Sequence, residues 1–268
     1  MSAPDPWLDL RRLTAARIAL GRSGVSLPTA ESLRFAEAHA MARDAVHTPL
    51  DVAALRDAVA RDGFDALCVH SAAPDRATYL RRPDLGRRLA PEAATRLAAR
   101  AALAATAGAE SPVLVVVMAD GLSATAVAAH GLLLLRALQP RLLAQQQTPA
   151  CVVVAVQARV ALGDEVGAVL GAQAVLVLVG ERPGLSSPDS LGAYLTWAPR
   201  IGCSDAERNC VSNIRPAGLS IDEAAHKIAW LLAAARQRLA TGVALKDDSG
   251  VASLPGEAPP ASWTPAPR

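Results

Sequence analysis

Three short segments carry the residue types best suited to holding a polar ligand: Ala119-Asp-Gly-Leu-Ser123, Gln157-Ala-Arg-Val160 and Gly180-Glu-Arg-Pro-Gly184, the last running into Ser186-Ser-Pro-Asp-Ser190. They are polar or rich in Gly and Pro, so they offer backbone and side-chain hydrogen-bonding groups to a ligand. Residues arranged for catalysis are missing. No Gly-x-Ser-x-Gly elbow occurs, nor a Gly-x-Gly-x-x-Gly or a Walker-type Gly-Lys-Ser/Thr. Ser123, following Asp120-Gly121, suits a helix N-cap better than a nucleophile. A hydrolase built on Ser123 or Ser187 would lack a recognisable acid–base partner. Of the five histidines, His39, His47 and His226 fall on or beside helical segments, and His70 and His130 have no acidic neighbour in sequence. No pair of them has metal-ligand spacing. The four cysteines form no Cys-x-x-Cys and read as reduced thiols, with Cys68 and Cys151 inside apolar runs as core residues.

These loops are placed by the elements around them. Trp7–Leu20 has Leu10, Leu13, Arg17 and Leu20 at helical spacing, with Gly21 as a stop. Thr29 opens a second helical segment through about Val46, and Asp51–Arg61 a third. A short strand is expected over Phe64–His70. Arg81–Gly86 reads as a turn, and Pro91–Thr106 as a long Ala-rich helix. Three apolar runs follow, Pro112–Met118, Cys151–Val156 and Ala174–Val179. They are continuous rather than alternating, as in strands buried on both faces of a parallel sheet. Helical segments Ser123–Leu138 and Gly163–Leu170 separate them. Gly163, Gly167 and Gly171 recur every four residues, which suits close helix–sheet packing more than a phosphate cradle. Ser220 with Glu223 is a capping-box pattern opening a last helix, Ser220–Ala240.

The fold expected is α/β, a doubly wound, mostly parallel, Rossmann-like sheet preceded by a small helical N-terminal section. The organisation expected is a helical section over 1–62, an α/β domain over 63–248 and a disordered tail over 249–268. In such sheets ligands bind beyond the carboxyl ends of the strands, where all three polar loops lie.

Composition removes several functions. The formal charge of +2 comes from interspersed residues and aromatics are only 3%, so no basic stripe exists for nucleic acid. The apolar stretches are too short or too interrupted to span a bilayer, and no signal-peptide core is present. Residue patterns alone therefore support a ligand-binding α/β domain, including a stand-alone small-molecule- or nucleotide-binding regulatory domain.

The loop sequences carry more. Gly180-Glu-Arg-Pro-Gly-Leu-Ser-Ser-Pro-Asp-Ser-Leu-Gly-Ala-Tyr194 and Asp205-Ala-Glu-Arg-Asn-Cys-Val-Ser-Asn-Ile-Arg215 resemble the signature segments of the ethanolamine ammonia-lyase small-subunit family. Asp120-Gly-Leu-Ser123, Arg81-Arg-Pro-Asp-Leu-Gly-Arg-Arg88 and Gly242-Val-Ala-Leu245 follow in the family's order, and the resemblance runs from about Leu10 to Asp248.

The resemblance implies the small subunit of a radical lyase that converts ethanolamine to acetaldehyde and ammonia with adenosylcobalamin. In that family the cobalt–carbon bond breaks homolytically, and the radical chemistry sits in the large subunit's barrel. The small subunit closes over the corrin at the interface and contributes no catalytic residue. The expected partner is the large subunit, in a trimer of dimers of heterodimers. By the same resemblance, the cobalamin contacts fall on Val160, Glu181 and Cys210. A corrin has broad apolar faces and a fringe of amides, so an apolar residue with free backbone groups, a carboxylate acceptor and a small apolar side chain suit it. No His is preceded two positions earlier by Asp, so the Asp-x-His-x-x-Gly motif that replaces the cofactor's own base is absent, and a base-on cofactor is expected. About six residues precede the first expected helix, which favours free cytoplasmic enzyme over a bacterial microcompartment.

Overall fold

The protein is described by a computed structural model, which covers residues 7–250 except 15 and 109. Most of the expected tail, 251–268, lies outside the described residues.

The three apolar runs form strands β2 (Leu114–Ala119), β3 (Cys151–Val156) and β4 (Ala174–Gly180), joined by β1 (Ala66–His70). Two further strands, β5 (Leu191–Trp197) and β6 (Arg208–Ile214), complete a six-stranded sheet of order β1-β3-β2-β4-β5-β6. β1, β3, β2 and β4 are parallel neighbours, whereas β5 pairs antiparallel with β4 and β6 antiparallel with β5. The central strands are continuous apolar runs because alternate residues enter different cores. Leu114, Val116 and Met118 face one side, with Val152, Val154, Leu176 and Leu178. Val115, Val117, Val153, Val175 and Val177 face the other.

The first side is covered by α2 (Val52–Arg61), α6 (Leu132–Ala144) and α8 (Ile221–Arg238), which bury Leu55, Val59, Leu134, Leu138, Ile228 and Leu231. The second is covered by α4 (Pro91–Thr106) and α7 (Val160–Leu170). The β2-to-β3 connection runs opposite to its neighbours along the sheet, and its helix α6 lies on the opposite face, as right-handed crossovers require.

Local signals explain the boundaries. Asp51 caps α2 through Ala54 N, Ser220 and Glu223 form a capping box on α8, and Pro91 opens α4. α7 lies close on the sheet because a Cβ on Gly163 would run into the Val177 side chain and one on Gly167 would meet Pro199 Cγ at 2.6 Å. Gly171 serves differently: at φ +67° it ends α7 in the left-handed conformation. Between β2 and α6 the chain passes through α5 (Ala124–Ala126) and one π-helical turn, Val127–Gly131.

The N-terminal section departs from its expected form. Over Trp7–Leu20 only a 3₁₀ turn, Leu8–Arg12, is present, because the periodic apolar residues find no surface to pack on: Leu10 and Leu13 stay exposed. α1 (Thr29–His47) forms but buries only Ala45, leaving Leu33, Phe35 and Met41 in solvent. Its end is tied to the sheet by Arg76 of α3 (Arg76–Arg81), whose Nε donates to Val46 O at 2.7 Å. Among the described residues, no helix is long and apolar enough to cross a membrane.

Candidate functional site

Nearest the reversal in strand order, the crevice between β2 and β3 is already filled. Asp120, buried just past β2, accepts from Gln157 N at 2.9 Å and Ala158 N at 3.0 Å, one amide to each carboxylate oxygen. This holds Gln157 at φ +54°, a conformation unusual for a residue with a side chain. Arg76 lies 3.6 Å from the same carboxylate and donates to Gly121 O at 2.8 Å. Burial pushes the Asp120 carboxyl up, against the opposing pull of those amides and Arg76.

The open space lies one strand further on. A cleft of about 440 Å³ is lined by Tyr79, Gly121, Leu122, Arg159, Val160, Val179, Gly180, Glu181, Arg182 and Tyr194. Its floor is fixed by contact between the first and third polar loops. Leu122 N donates to Gly180 O at 2.9 Å, and a Cβ on Gly180 would overlap Ser123 O. Ser123 is fully buried; its Oγ donates to Pro188 O at 2.7 Å and accepts from Ala126 N at 3.3 Å, so it caps the helix. The loop after β4 is held at both ends. Glu181 N donates to Ser190 O at 2.9 Å, and His130 Nε2 approaches Asp189 Oδ2 at 3.3 Å, an acidic partner not visible in local sequence.

Val160 is the first residue of α7 and lines the cleft. Glu181 lines it too, but its two oxygens differ. Oε2 accepts from Ser190 Oγ and from Asn213 N at 3.2 Å, whereas Oε1 takes no hydrogen bond from the described residues. Cys210 is exposed on β6, directly across the ladder from Tyr194. On this face α7 reaches one end of the hairpin, where its Asp164 pairs with buried Arg208 of β6, while Cys210 and Ser212 further along β6 stay exposed. The three residues thus occupy one end of the sheet, Val160 and Glu181 in the cleft and Cys210 beside its Tyr194 wall. Cys68, expected in the core, is exposed on edge strand β1, while Cys151 is buried.

Sequence patterns alone did not single out Tyr79, Arg159 or Tyr194. A usable signal existed: the chain has two tyrosines, Tyr79 and Tyr194, and both line this cleft. Tyr79 donates to Ala158 O at 3.2 Å, with Arg76 and Arg159 guanidinium carbons 4.7 and 4.8 Å from its ring centre. Burial pushes its hydroxyl up to about 12. Burial also pushes the Tyr194 hydroxyl up, helped by Cys210 and Glu181. Desolvation raises the Cys210 thiol, against a hydrogen bond from Tyr194, so the sulfur stays protonated at neutral pH and is a poor nucleophile. The cleft thus brings polar acceptors, donors and aromatic area together.

Comparison with known proteins identifies the family. Residues 4–246 match the family model described as Ethanolamine ammonia-lyase light chain (EutC). The chain is 56% identical over 252 residues to the ethanolamine ammonia-lyase small subunit of Azotobacter vinelandii, covering 94% of this chain and 92% of that one. It is 53% identical over 259 residues to the protein of the same name from Pseudomonas aeruginosa, covering 96% and 93%. Against that of Pseudomonas syringae pv. tomato it is 52% identical over 250 residues, covering 93% and 86%.

Proposed function

The chain belongs to the ethanolamine ammonia-lyase light-chain family, and we propose on that premise that it is the cobalamin-holding, non-catalytic small subunit of a lyase converting ethanolamine to acetaldehyde and ammonia. The observation that carries the cofactor part is the open end of the sheet. A cleft whose Glu181 keeps one carboxylate oxygen without a hydrogen bond among the described residues runs to the Tyr194 wall, beside which Cys210 is exposed on β6. The donor set fits a corrin: Glu181 Oε1 accepts from a peripheral amide, Val160 supplies an apolar contact and backbone groups, and Cys210 a small neutral side chain against the ring edge. At about 440 Å³ the cleft supplies one wall rather than an enclosure, so the rest of the site belongs to a large-subunit partner.

Adenosylcobalamin, when bound base-on, supplies the cobalt–carbon bond whose homolysis starts the rearrangement. This chain's residues fix the cofactor's position and exclude water from one side of it. The protonated thiol and hydroxyls support a binding role without acid–base duty. A nucleotide-binding regulatory role is less favoured, because Asp120 occupies the crevice where a doubly wound sheet holds a nucleotide. The exposed apolar residues of the N-terminal section, including Leu13, Leu27, Leu33 and Phe35, suit burial against the large subunit in a trimer of dimers of heterodimers.

The test is purification of the chain alone and together with a large subunit, following cobalamin absorbance and acetaldehyde release. The expected result is weak cofactor binding and no turnover for the chain alone, with both gained in the complex. Robust acetaldehyde release by the chain alone would overturn the assignment.

A further inference from the structure

The geometry points to Arg159 as the residue that binds the phosphodiester of the cofactor's nucleotide tail, an inference that rests on the cobalamin reading above. Arg159 stands at the N-cap of α7 and lines the cleft beside Val160. Its guanidinium packs over Tyr79, and among the described residues its one hydrogen bond is a long one, Nη2 to Tyr79 O at 3.4 Å. Its Nε is buried without a partner. Among the described residues no carboxylate lies within ion-pair distance of it, whereas Arg76, stacked on the same ring, has Asp120 at 3.6 Å.

A half-buried cation with no counterion and an orphaned donor is unfavourable unless a ligand supplies the anion. Two more features favour negative charge at this point. The backbone N–H groups of Val160 and Ala161, at the start of an 11-residue helix, find no acceptor among the described residues, and Arg159 offers them no side-chain cap. Exposed Arg182 lines the same cleft. A corrin and its amides are uncharged at the periphery, so this cationic corner has no match on the ring itself. The anionic group outside the macrocycle is the phosphodiester joining ring side chain to ribose, and a guanidinium recognises phosphate through paired N–H donors. Glu181 then takes the amide fringe and Arg159 the tail.

The experiment uses the assembled two-subunit enzyme and reads equilibrium affinity from visible absorbance, independently of turnover. Three probes separate the parts of the cofactor: adenosylcobalamin, adenosylcobinamide, which lacks phosphate, ribose and base, and adenosylcobinamide phosphate, which regains phosphate alone. Arg159→Met should weaken adenosylcobalamin and adenosylcobinamide phosphate by about tenfold or more, the scale of one lost charge-assisted contact. It should leave adenosylcobinamide nearly unchanged. Arg159→Lys, which keeps the charge and much of the packing on Tyr79, should recover part of the loss and shows whether a folding defect is at work. Equal weakening of all three probes by Arg159→Met, or no weakening of any, would overturn the assignment. If the unsubstituted complex bound none of the probes, the cobalamin reading itself would fall and this inference with it.

Discussion

Glu181→Gln tests the division of labour within one carboxylate. In the folded chain Glu181 lines the cleft, Oε2 accepts two hydrogen bonds, from Ser190 Oγ and Asn213 N, and Oε1 takes none from the described residues. Glutamine can keep both internal bonds only by placing its carbonyl where Oε2 stands, since the reverse orientation sets its NH₂ against two donors. The NH₂ group must then stand where Oε1 stood. The internal bonds change from charge-assisted to neutral, which lowers stability by about 1–2 kcal/mol for the pair. The cleft changes more, from an acceptor to a donor, so a corrin amide N–H loses its partner. Loss of the charged part of one such bond corresponds to about a tenfold weaker cofactor, or 1.4 kcal/mol. Turnover at saturating cofactor should fall much less, because a contact on the corrin rim is made equally in the ground and transition states. Ser190→Ala is the matching control: it removes an internal donor and leaves Oε1 untouched, so affinity should hold. The assay is cofactor titration of the assembled enzyme by absorbance, followed by acetaldehyde release at saturation. If Glu181→Gln abolished turnover while affinity stayed unchanged, Glu181 would belong to the chemistry and the reasoning would be refuted.

Asp120→Asn should destabilise the chain by about 1–3 kcal/mol, because an amide cannot accept from both Gln157 N and Ala158 N and one buried donor is left unpaired; an unchanged urea midpoint would show that Asp120 does not pin the two loops. Gly163→Ala should lower the urea midpoint by the equivalent of about 1–3 kcal/mol with little change in slope, since the new methyl meets the buried, stiff Val177 side chain; tolerance of the methyl would mean that α7 is not seated as described. Glu207 is held at about 2, below its ordinary 4.5, first by the Ser204 backbone amide and then by Arg200. A lowered carboxylate contributes stability that is whole above about pH 4.5 and is lost as pH falls toward 2. Glu207→Gln should therefore flatten the stability profile in that window and leave the profile above it parallel; an unchanged acid limb in pH-dependent unfolding would contradict this.

Much of the fold is set by interactions within a few residues, and such interactions are legible in one dimension. The caps at Asp51 and Ser220, Pro91 at the start of α4 and the apolar runs of β2, β3 and β4 all report local chemistry. The loop segments also carried the family resemblance, because their residue order is itself the signal. β5 and β6 escaped this kind of reading. Their strands are antiparallel additions at the sheet's end, with one face packed on α8 and the other covered by α7 only at the Thr196–Arg208 end, and the short mixed pattern of Arg208–Ile214 becomes a strand only through its ladder with β5. The reverse happened at Trp7–Leu20, where helical periodicity without a surface to bury it leaves only a short 3₁₀ turn. The site shows the same division. Glu181 could be placed after a buried strand from sequence, yet that Ser190 and Asn213 take one of its oxygens and leave the other to the cleft is decided by the loop's return and by the neighbouring β6. Asp120 filling the switch-point crevice, and Tyr79 stacking with an arginine eighty residues away, likewise depend on where the crossovers bring the strand ends, since a buried polar group takes whichever partner the fold delivers and sequence distance does not limit the choice.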